Sequence, residues 1–308
     1  MKSLDVTLRQ LEFFVATVER GTLSAAAAEF HVSQTAVSLA ISQLEKALGV
    51  QVLVRRPAKA PALTAAGRQL LVDARQVLGH VGELESAVRT IGGDISGRLA
   101  VGCFPTITPF VMGRILEEVP VRYPELEIDL VEDTVEGLQR RLADGLCDLA
   151  IMYDIGLGSD VTTQPLYSCA PYAVLSAGHR FAARRTVALS DLIDEPMVMI
   201  DMPPSLEFFT GRIAEAGLTP DIRYRTRSVE TVRTFVGRGM GWAVLLHRPG
   251  TERSYDGSAV ASVDLDGMGP PVDVLLVMNS TARMTRRARA FADMARELLR
   301  AGPVPARI

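Results

Sequence analysis

The 308-residue sequence predicts an α/β protein: an N-terminal winged helix-turn-helix, a long linker helix, then a two-lobed α/β body. Three observations predict it. Short helical patterns separated by turn residues fill the first fifty residues. An unbroken heptad seam runs from Leu70 to Ile91. From Ser96 onward, strand patterns alternate with helical ones, the signature of parallel βα units.

The elements follow in order. Leu11, Phe14, Val15 and Val18 recur at helical spacing, and Gly21 stops that helix. Ser24 is the expected N-cap of a helix from Ala25 to Phe30, whose alanines let another helix approach closely. Ser33 is the expected cap of a third helix. There Val37, Ile41, Leu44 and Leu48 form one apolar stripe, and Gly49 ends it. Two short helices joined around His31-Val32 read as a helix-turn-helix. Val50 to Leu63, broken by Pro57 and Pro61 and carrying Arg55, Arg56 and Lys59, fits a β-hairpin wing.

Thr64 is placed to cap a helix reaching Gly92-Gly93. Its apolar residues Leu70, Ala74, Val77, Val81, Leu84, Val88 and Ile91 step alternately by four and three, an a/d seam suited to dimerisation. A core helix packed on its own domain is the alternative.

In the body, strands are expected at Arg98–Cys103, Leu126–Val131 and Asp148–Tyr153, with helices at Ile107–Arg122 and Val135–Asp144 between them. A second set runs through strands Tyr172–Ser176, Met197–Ile200, Ile222–Thr226 and Gly241–Leu246. Its helices lie around Ser190–Ile193, at Leu206–Ala216 and at Val229–Arg238. Strand Val272–Met278 and helix Arg286–Arg300 return to the first lobe. Crossings between lobes are expected near Thr163–Ala170 and Val263–Pro270. The predicted division is a DNA-binding head over 1–63, a linker over 64–93, and a body over 94–308. Lobe I takes 94–166 plus 268–308, and lobe II takes 167–267.

Composition narrows the function. Hydrophobic residues make up 48% and charged residues 22%, a globular balance that excludes disorder. No apolar run approaches the ~20 residues that span a bilayer, and the start shows no secretory pattern. Cys103, Cys147 and Cys169 are an odd set without C-x-x-C, against a disulfide framework or a zinc site. A cytoplasmic protein is expected. Residues 1–68 hold eight Lys/Arg against five Asp/Glu, a net +3, which leaves −6 for the other 240 residues. That asymmetry points to a nucleic-acid-facing head on an acidic body.

The third helix carries the sharpest chemistry. Opposite its apolar stripe lie Gln34, Thr35, Ser38, Leu39 and Ser42, with Ser33 at the cap. Glutamine matches adenine through its paired donor and acceptor; serine and threonine reach base edges or phosphates. Arg55 and Arg56 suit phosphate or minor-groove contacts. The loop Phe104-Pro105-Thr106 lies between a strand's carboxyl end and a helix's amino end, a place for an anion or for plain capping. Thr134, Tyr153, Asp201, Pro204, Ser205 and Ser228 occupy comparable strand ends, which should line a cleft between the lobes. No catalytic motif or metal-ligand spacing is present, so neither an enzyme nor a cofactor or metal is expected. Gly237-Arg238-Gly239-Met240-Gly241 stands between a helix and a strand, the wrong order for a dinucleotide fingerprint, and reads as a tight turn.

Several segments resemble the amino-terminal signature of LysR-type transcriptional regulators. They are Leu8-Arg9-Gln10-Leu11-Glu12-Phe13-Phe14, Gly21-Thr22-Leu23-Ser24-Ala25-Ala26-Ala27, His31-Val32-Ser33-Gln34-Thr35-Ala36-Val37-Ser38 and Ile41-Ser42-Gln43-Leu44-Glu45. Leu48-Gly49-Val50, Arg55-Arg56 and Leu63-Thr64-Ala65-Ala66-Gly67 continue it. The order of parts is similar along essentially the whole chain. The resemblance implies a periplasmic-binding-protein-like effector domain and a homodimer or homotetramer on dyad-symmetric, double-stranded promoter DNA. It implies a small-molecule, often anionic co-inducer between the lobes, and contact with RNA polymerase. By the same resemblance Gln34, Thr35 and Ser38 would meet bases, Thr64 would sit at the junction of wing and linker, and Pro105, Thr106, Ser205 and Ser228 would touch co-inducer. Two positions depart from the pattern: Leu39 stands where the family usually has Arg, and Val54 where it usually has Glu. The family's peroxide-sensing branch uses two closely spaced cysteines in the second lobe, whereas here only Cys169 reaches that lobe's edge. A cysteine-based redox regulator is one alternative. A two-lobed binding protein or enzyme with an incidental helical head is another.

Overall fold

The computed structural model describes residues 5–54, 61–89, 95–300 and 302. In the head, α1 (Leu8–Arg20) begins in a capping box: the Thr7 side chain accepts from Gln10 N, and the Gln10 side chain accepts from Thr7 N. Gly21 ends the helix in the left-handed region. The second helix, α2 (Leu23–Glu29), is capped by Thr22. The expected cap Ser24 instead lies in its first turn, because Thr22 already accepts from Ala25 N. The third helix, α3 (Gln34–Leu48), starts at Ser33 and stops at Gly49. Val37, Ile41 and Leu44 are fully buried beside Phe14 and Ala26. Leu48 is exposed, since the stripe has run past the edge of α1 by the last turn.

The wing is the antiparallel pair β1 (Leu53–Val54) and β2 (Ala62–Leu63). Glu45 of α3 anchors it by accepting from Val52 N and Leu53 N at 2.9 and 3.2 Å. The expected contacts Arg55 and Arg56, and Lys59, lie outside the described residues.

The linker helix α4 (Ala65–Arg89) is capped by Thr64, whose Oγ1 accepts from Gly67 N and donates to Gln51 O. A Cβ on Gly67 would stand 2.0 Å from Val52 O, a backbone atom that cannot swing away. Gly67→Ala is therefore expected to destabilise the head by about 1–3 kcal/mol, the usual range for overpacking. Thermal melts of the intact chain, followed by far-ultraviolet circular dichroism, would read it.

The heptad seam divides. Leu71 and Ala74 are buried against the head, so α1 claims the first turns and Leu70 is only half-buried. Further along, Val77 and Leu84 are 42% and 66% exposed. The Val88 side chain and Ile91 lie outside the described residues. Among the described residues no helix is long and apolar enough to cross a membrane.

Lobe I is a five-stranded sheet with three parallel strands at one side. These are β3 (Ser96–Cys103), β4 (Glu125–Glu132) and β5 (Leu149–Tyr153), linked by α5 (Thr108–Arg122) and α6 (Val135–Ala143). The order is completed by β6 (Val161–Cys169) and the late strand β13 (Val272–Asn279), giving β4-β3-β5-β13-β6, with β13 antiparallel to both neighbours. The terminal helix α10 (Arg286–Leu299) covers this sheet with Phe291, Ala295 and Leu299. Arg75 of α4 reaches across to it, donating to the Asp144 carbonyl at 2.5 Å while pairing with Glu19 of the head.

Lobe II contains β7 (Tyr172–Ser176), β8 (Thr186–Ala188), β9 (Met197–Ile200), β10 (Ile222–Thr226), β11 (Ala243–Leu245) and β12 (Val260–Asp266). One sheet runs β11-β7-β12-β8, and the parallel pair β10-β9 joins it through a bridge from Met197 to Trp242. Helices α7 (Leu189–Leu192), α8 (Ser205–Glu215) and α9 (Val229–Gly237) complete the lobe. At the turn from α9 to β11, Gly241 has φ +149 and presses on Pro196 O, where a Cβ would come within 2.2 Å.

Both crossings fall at the carboxyl ends of the expected segments, and the rest of each segment is strand or core. Most of Thr163–Ala170 is strand β6, and Tyr167 and Cys169 belong to the first lobe's core. Val263 to Asp266 is strand β12, and Met268 packs in the second lobe's core. The chain crosses at 170–171 and again at 269–271.

Candidate nucleic-acid interface and effector cleft

The helix-turn-helix presents one polar face. His31 holds the turn in the left-handed region, at φ 53. Ser33 Oγ accepts from Ala36 N at 3.1 Å, and Gln34 Oε1 accepts from Ser24 Oγ at 2.9 Å. Gln34, Thr35 and Ser42 are exposed, Ser38 is half-buried, and Leu39 is 58% exposed in the middle of that face. The buried stripe thus aims the residues expected to meet DNA outward. Ser33 serves the helix first, as its cap.

Between the lobes lies a cavity of about 640 Å³. Pro105, Thr106, Pro109, Phe110 and Glu132 form the lobe I wall, while Arg227, Ser228, Arg233, Arg248 and Arg253 stand on the lobe II side. Arg233 is the unusual member, being 1% exposed. Its Nε donates to Glu230 Oε2 at 3.1 Å, and its Nη2 donates to the carbonyls of Thr251 and Arg253 at 2.7 and 2.8 Å. Its buried Nη1 has no hydrogen-bond partner. A buried donor left unpaired costs about 1–3 kcal/mol, so this atom favours an incoming acceptor. Arg248 is spent on Asp264 and lies over the Tyr172 ring.

A smaller inner cavity of about 20 Å³, room for one water, adjoins the first through Thr106, Phe110 and Val229. Tyr153, Ser205 and His247 line it. Thr106 Oγ1 donates to Tyr153 Oη at 3.2 Å, and Tyr153 Oη lies 2.7 Å from His247 Nδ1. With the Tyr153 proton given to Nδ1, Nε2–H donates to Tyr167 Oη at 2.8 Å, beside Cys169 Sγ at 3.5 Å. The ring stacks on Phe110 at 4.8 Å. His247 belongs to lobe II and all these partners to lobe I, so the ring is a peg between lobes.

Burial keeps this imidazole neutral and pushes its pKa down to about 4. The unfolded ring takes its proton near pH 6.5. Between those values the unfolded state binds more protons, so stability falls as pH drops from 6.5 to 4. The difference amounts to about 3 kcal/mol at most. The unfolding free energy from urea titrations should fall further between pH 7 and pH 4.5 for the native chain than for His247→Gln, by about 2–3 kcal/mol. Equal losses in both would contradict the neutral peg.

Of the residues expected at the cleft, Pro105, Thr106, Tyr153, Ser205 and Ser228 line one cavity or the other. Four do not. Phe104 is fully buried in lobe I, its ring edge-on to Tyr153 at 5.7 Å. Thr134 caps α6 by accepting from Gly137 N. Asp201 is tied through its backbone N–H to Thr226 O. Pro204 follows a cis peptide bond and precedes α8; its neighbours Met202 and Ser205 line the cavities, and Pro204 itself lines neither. The position of His247, two residues beyond β11, obeys the strand-end rule that selects Ser228, but a lone histidine carries no spacing signal.

All three cysteines are buried. Burial raises the Cys103 and Cys169 thiols to about 12 and Cys147 to about 11, far from the thiolate that reacts with oxidants.

Residues 8–89 match the family model "Bacterial regulatory helix-turn-helix protein, lysR family". Residues 92–300 match "LysR substrate binding domain". The chain belongs to the LysR family. Among its LysR-family relatives is the hydrogen peroxide-inducible genes activator of Pectobacterium carotovorum subsp. carotovorum. It is 32% identical over 295 residues, 95% of this chain and 96% of that protein. A putative LysR family transcriptional regulator of Pseudomonas aeruginosa, solved by crystallography, is 35% identical with a TM-score of 0.64. The match covers 96% of this chain and 99% of that one. A full-length OxyR variant from Pseudomonas aeruginosa has a TM-score of 0.75 at 21% identity, covering 98% and 100%, a likeness of fold. These relatives are transcriptional regulators, and this LysR-family chain shares their arrangement of head, linker and body.

Proposed function

We propose that this LysR-family regulator binds dyad-symmetric promoter DNA as a homodimer or dimer of dimers, and that a small acid in the inter-lobe cleft modulates binding and activation. The observation that carries the ligand half is the buried, unsatisfied Nη1 of Arg233 beside a cavity large enough for a metabolite. On the DNA side, Gln34, Thr35, Ser38, Leu39 and Ser42 read bases or touch phosphates. Ser33, Arg55 and Arg56 are the further proposed DNA contacts. Pro105, Thr106 and Ser228 line the ligand's cavity, and Tyr153 and Ser205 line the smaller cavity that adjoins it. The ligand acts by binding one lobe arrangement better than another, which repositions the heads on DNA and changes what RNA polymerase meets.

The relative named for hydrogen peroxide favours a second reading, a cysteine-based redox switch. Three buried thiols with raised pKa values weigh for the ligand instead. Footprinting of the intact chain on a genomic fragment selected in vitro tests the reading. A paired half-site footprint, altered by small acids and unchanged by hydrogen peroxide, supports it. A footprint altered by peroxide alone supports the redox switch.

A further inference from the structure

The cleft's unspent charges are of both signs, and they stand on opposite lobes. On lobe II, Arg227 is exposed with no ion-pair partner among the described residues, and it lines the same cavity as Arg233, whose Nη1 is unpartnered. On lobe I, Glu132 ends β4 at the same cavity, exposed and likewise without an ion-pair partner there. The other carboxylate of the cavity, Glu230, is spent: it accepts from Arg233 and from Tyr255 N. Pro109, Phe110 and Met202 add apolar surface to the same cavity.

A plain carboxylate would satisfy the arginines and leave Glu132 facing a second anion. Like charges brought together in a closing cleft repel, and the repulsion grows as water leaves. A ligand carrying one carboxylate and one ammonium meets both walls. We infer that the effector is an amino acid. Its carboxylate lies on Arg227 and Arg233, its ammonium on Glu132, and its side chain against Pro109 and Phe110. This rests on the cleft being the effector site. Since the two charges of the ligand join opposite lobes, the ammonium draws lobe I toward lobe II, and Glu132 sets specificity.

Isothermal titration calorimetry of the intact chain tests it. The probes are the twenty proteinogenic L-amino acids, each beside its deamino acid and its decarboxylated amine, such as L-phenylalanine, 3-phenylpropanoate and 2-phenylethylamine. At least one amino acid is expected to bind, and more tightly than both of its single-charge analogues by about tenfold or more, the range of a hydrogen bond to a charged group. In Glu132→Gln, an exposed and fold-neutral change, the preference over the deamino acid should vanish. In Arg227→Gln both acids should weaken together. A deamino acid that binds as tightly as its amino acid, or a preference untouched by Glu132→Gln, overturns the inference while leaving an acid in the cleft. An amine that binds as tightly as the amino acid overturns it as well. No binding by any of the probes overturns both this inference and the effector site itself.

Discussion

Glutamate at Leu84 will turn the chain monomeric. Leu84 is 66% exposed and Val77 42% exposed on the same a/d seam of α4, with the half-buried Val81 between them. Large aliphatic side chains at this spacing suit a partner helix, and under the proposed function a second copy covers them. The head has already claimed the start of the seam at Ala74, with Leu71 buried beside it, so the free portion is its later half. In a symmetric dimer one substitution acts twice, removing two buried leucines and placing two carboxylates in the interface. Fully burying a leucine is worth roughly 1.5–3 kcal/mol, so the pair costs at least about 3 kcal/mol and raises the dimer dissociation constant more than about a hundredfold. Sedimentation velocity reads the result directly. The melting temperature of the monomer should stay within a degree or two, since Leu84 touches solvent within one chain. An unchanged sedimentation coefficient would move the dimer contact elsewhere.

Alanine at Gln34 will weaken operator binding by roughly five- to 150-fold, the loss of one good bidentate base contact. Gln34 opens α3 on its exposed face, and Ser24 holds its amide oxygen at 2.9 Å, which narrows the orientations open to the amide nitrogen. The loss should be specific: binding to unrelated DNA, which rests on phosphates, should change little. Leu39→Arg should act in the opposite sense. Leu39 is central and 58% exposed, so a guanidinium there gains a phosphate or base contact and steepens the salt slope by about one unit. Fluorescence anisotropy on operator and scrambled duplexes separates the two effects.

Much of the fold is legible in the sequence where local chemistry and tertiary packing agree. Ser33 and Gly49 bound α3, and Gly21 ends α1, because capping chemistry is local. The parallel strands of lobe I read clearly, because both of their faces are covered. Strand β6 does not. It is an edge strand pairing with β13 alone, it carries Thr162, Thr163 and Gln164, and Pro165 sits at a shift in register, where a missing N–H is tolerated. Those same residues read as a connector. Ser24 fails as a cap for a different reason: a threonine two residues earlier wins the same orphan N–H groups. At the cleft, strand ends are legible as a class, but which of them face the cavity depends on packing. Phe104 adjoins Pro105 and yet points into the core. His247 shows the limit most plainly. Its ring partners Tyr153, Tyr167 and Cys169 lie on strands of the other lobe, so nothing local marks it.

The measurement that bears most directly on this LysR-family chain as a DNA-reading regulator is operator affinity of the intact chain across a salt series. Six to ten phosphate contacts from two heads predict an affinity that falls by about 10³-fold or more between 50 and 200 mM salt. The affinity at any one salt should also shift when the cleft is filled. A flat salt dependence, or no operator complex at the lowest salt, would contradict the account.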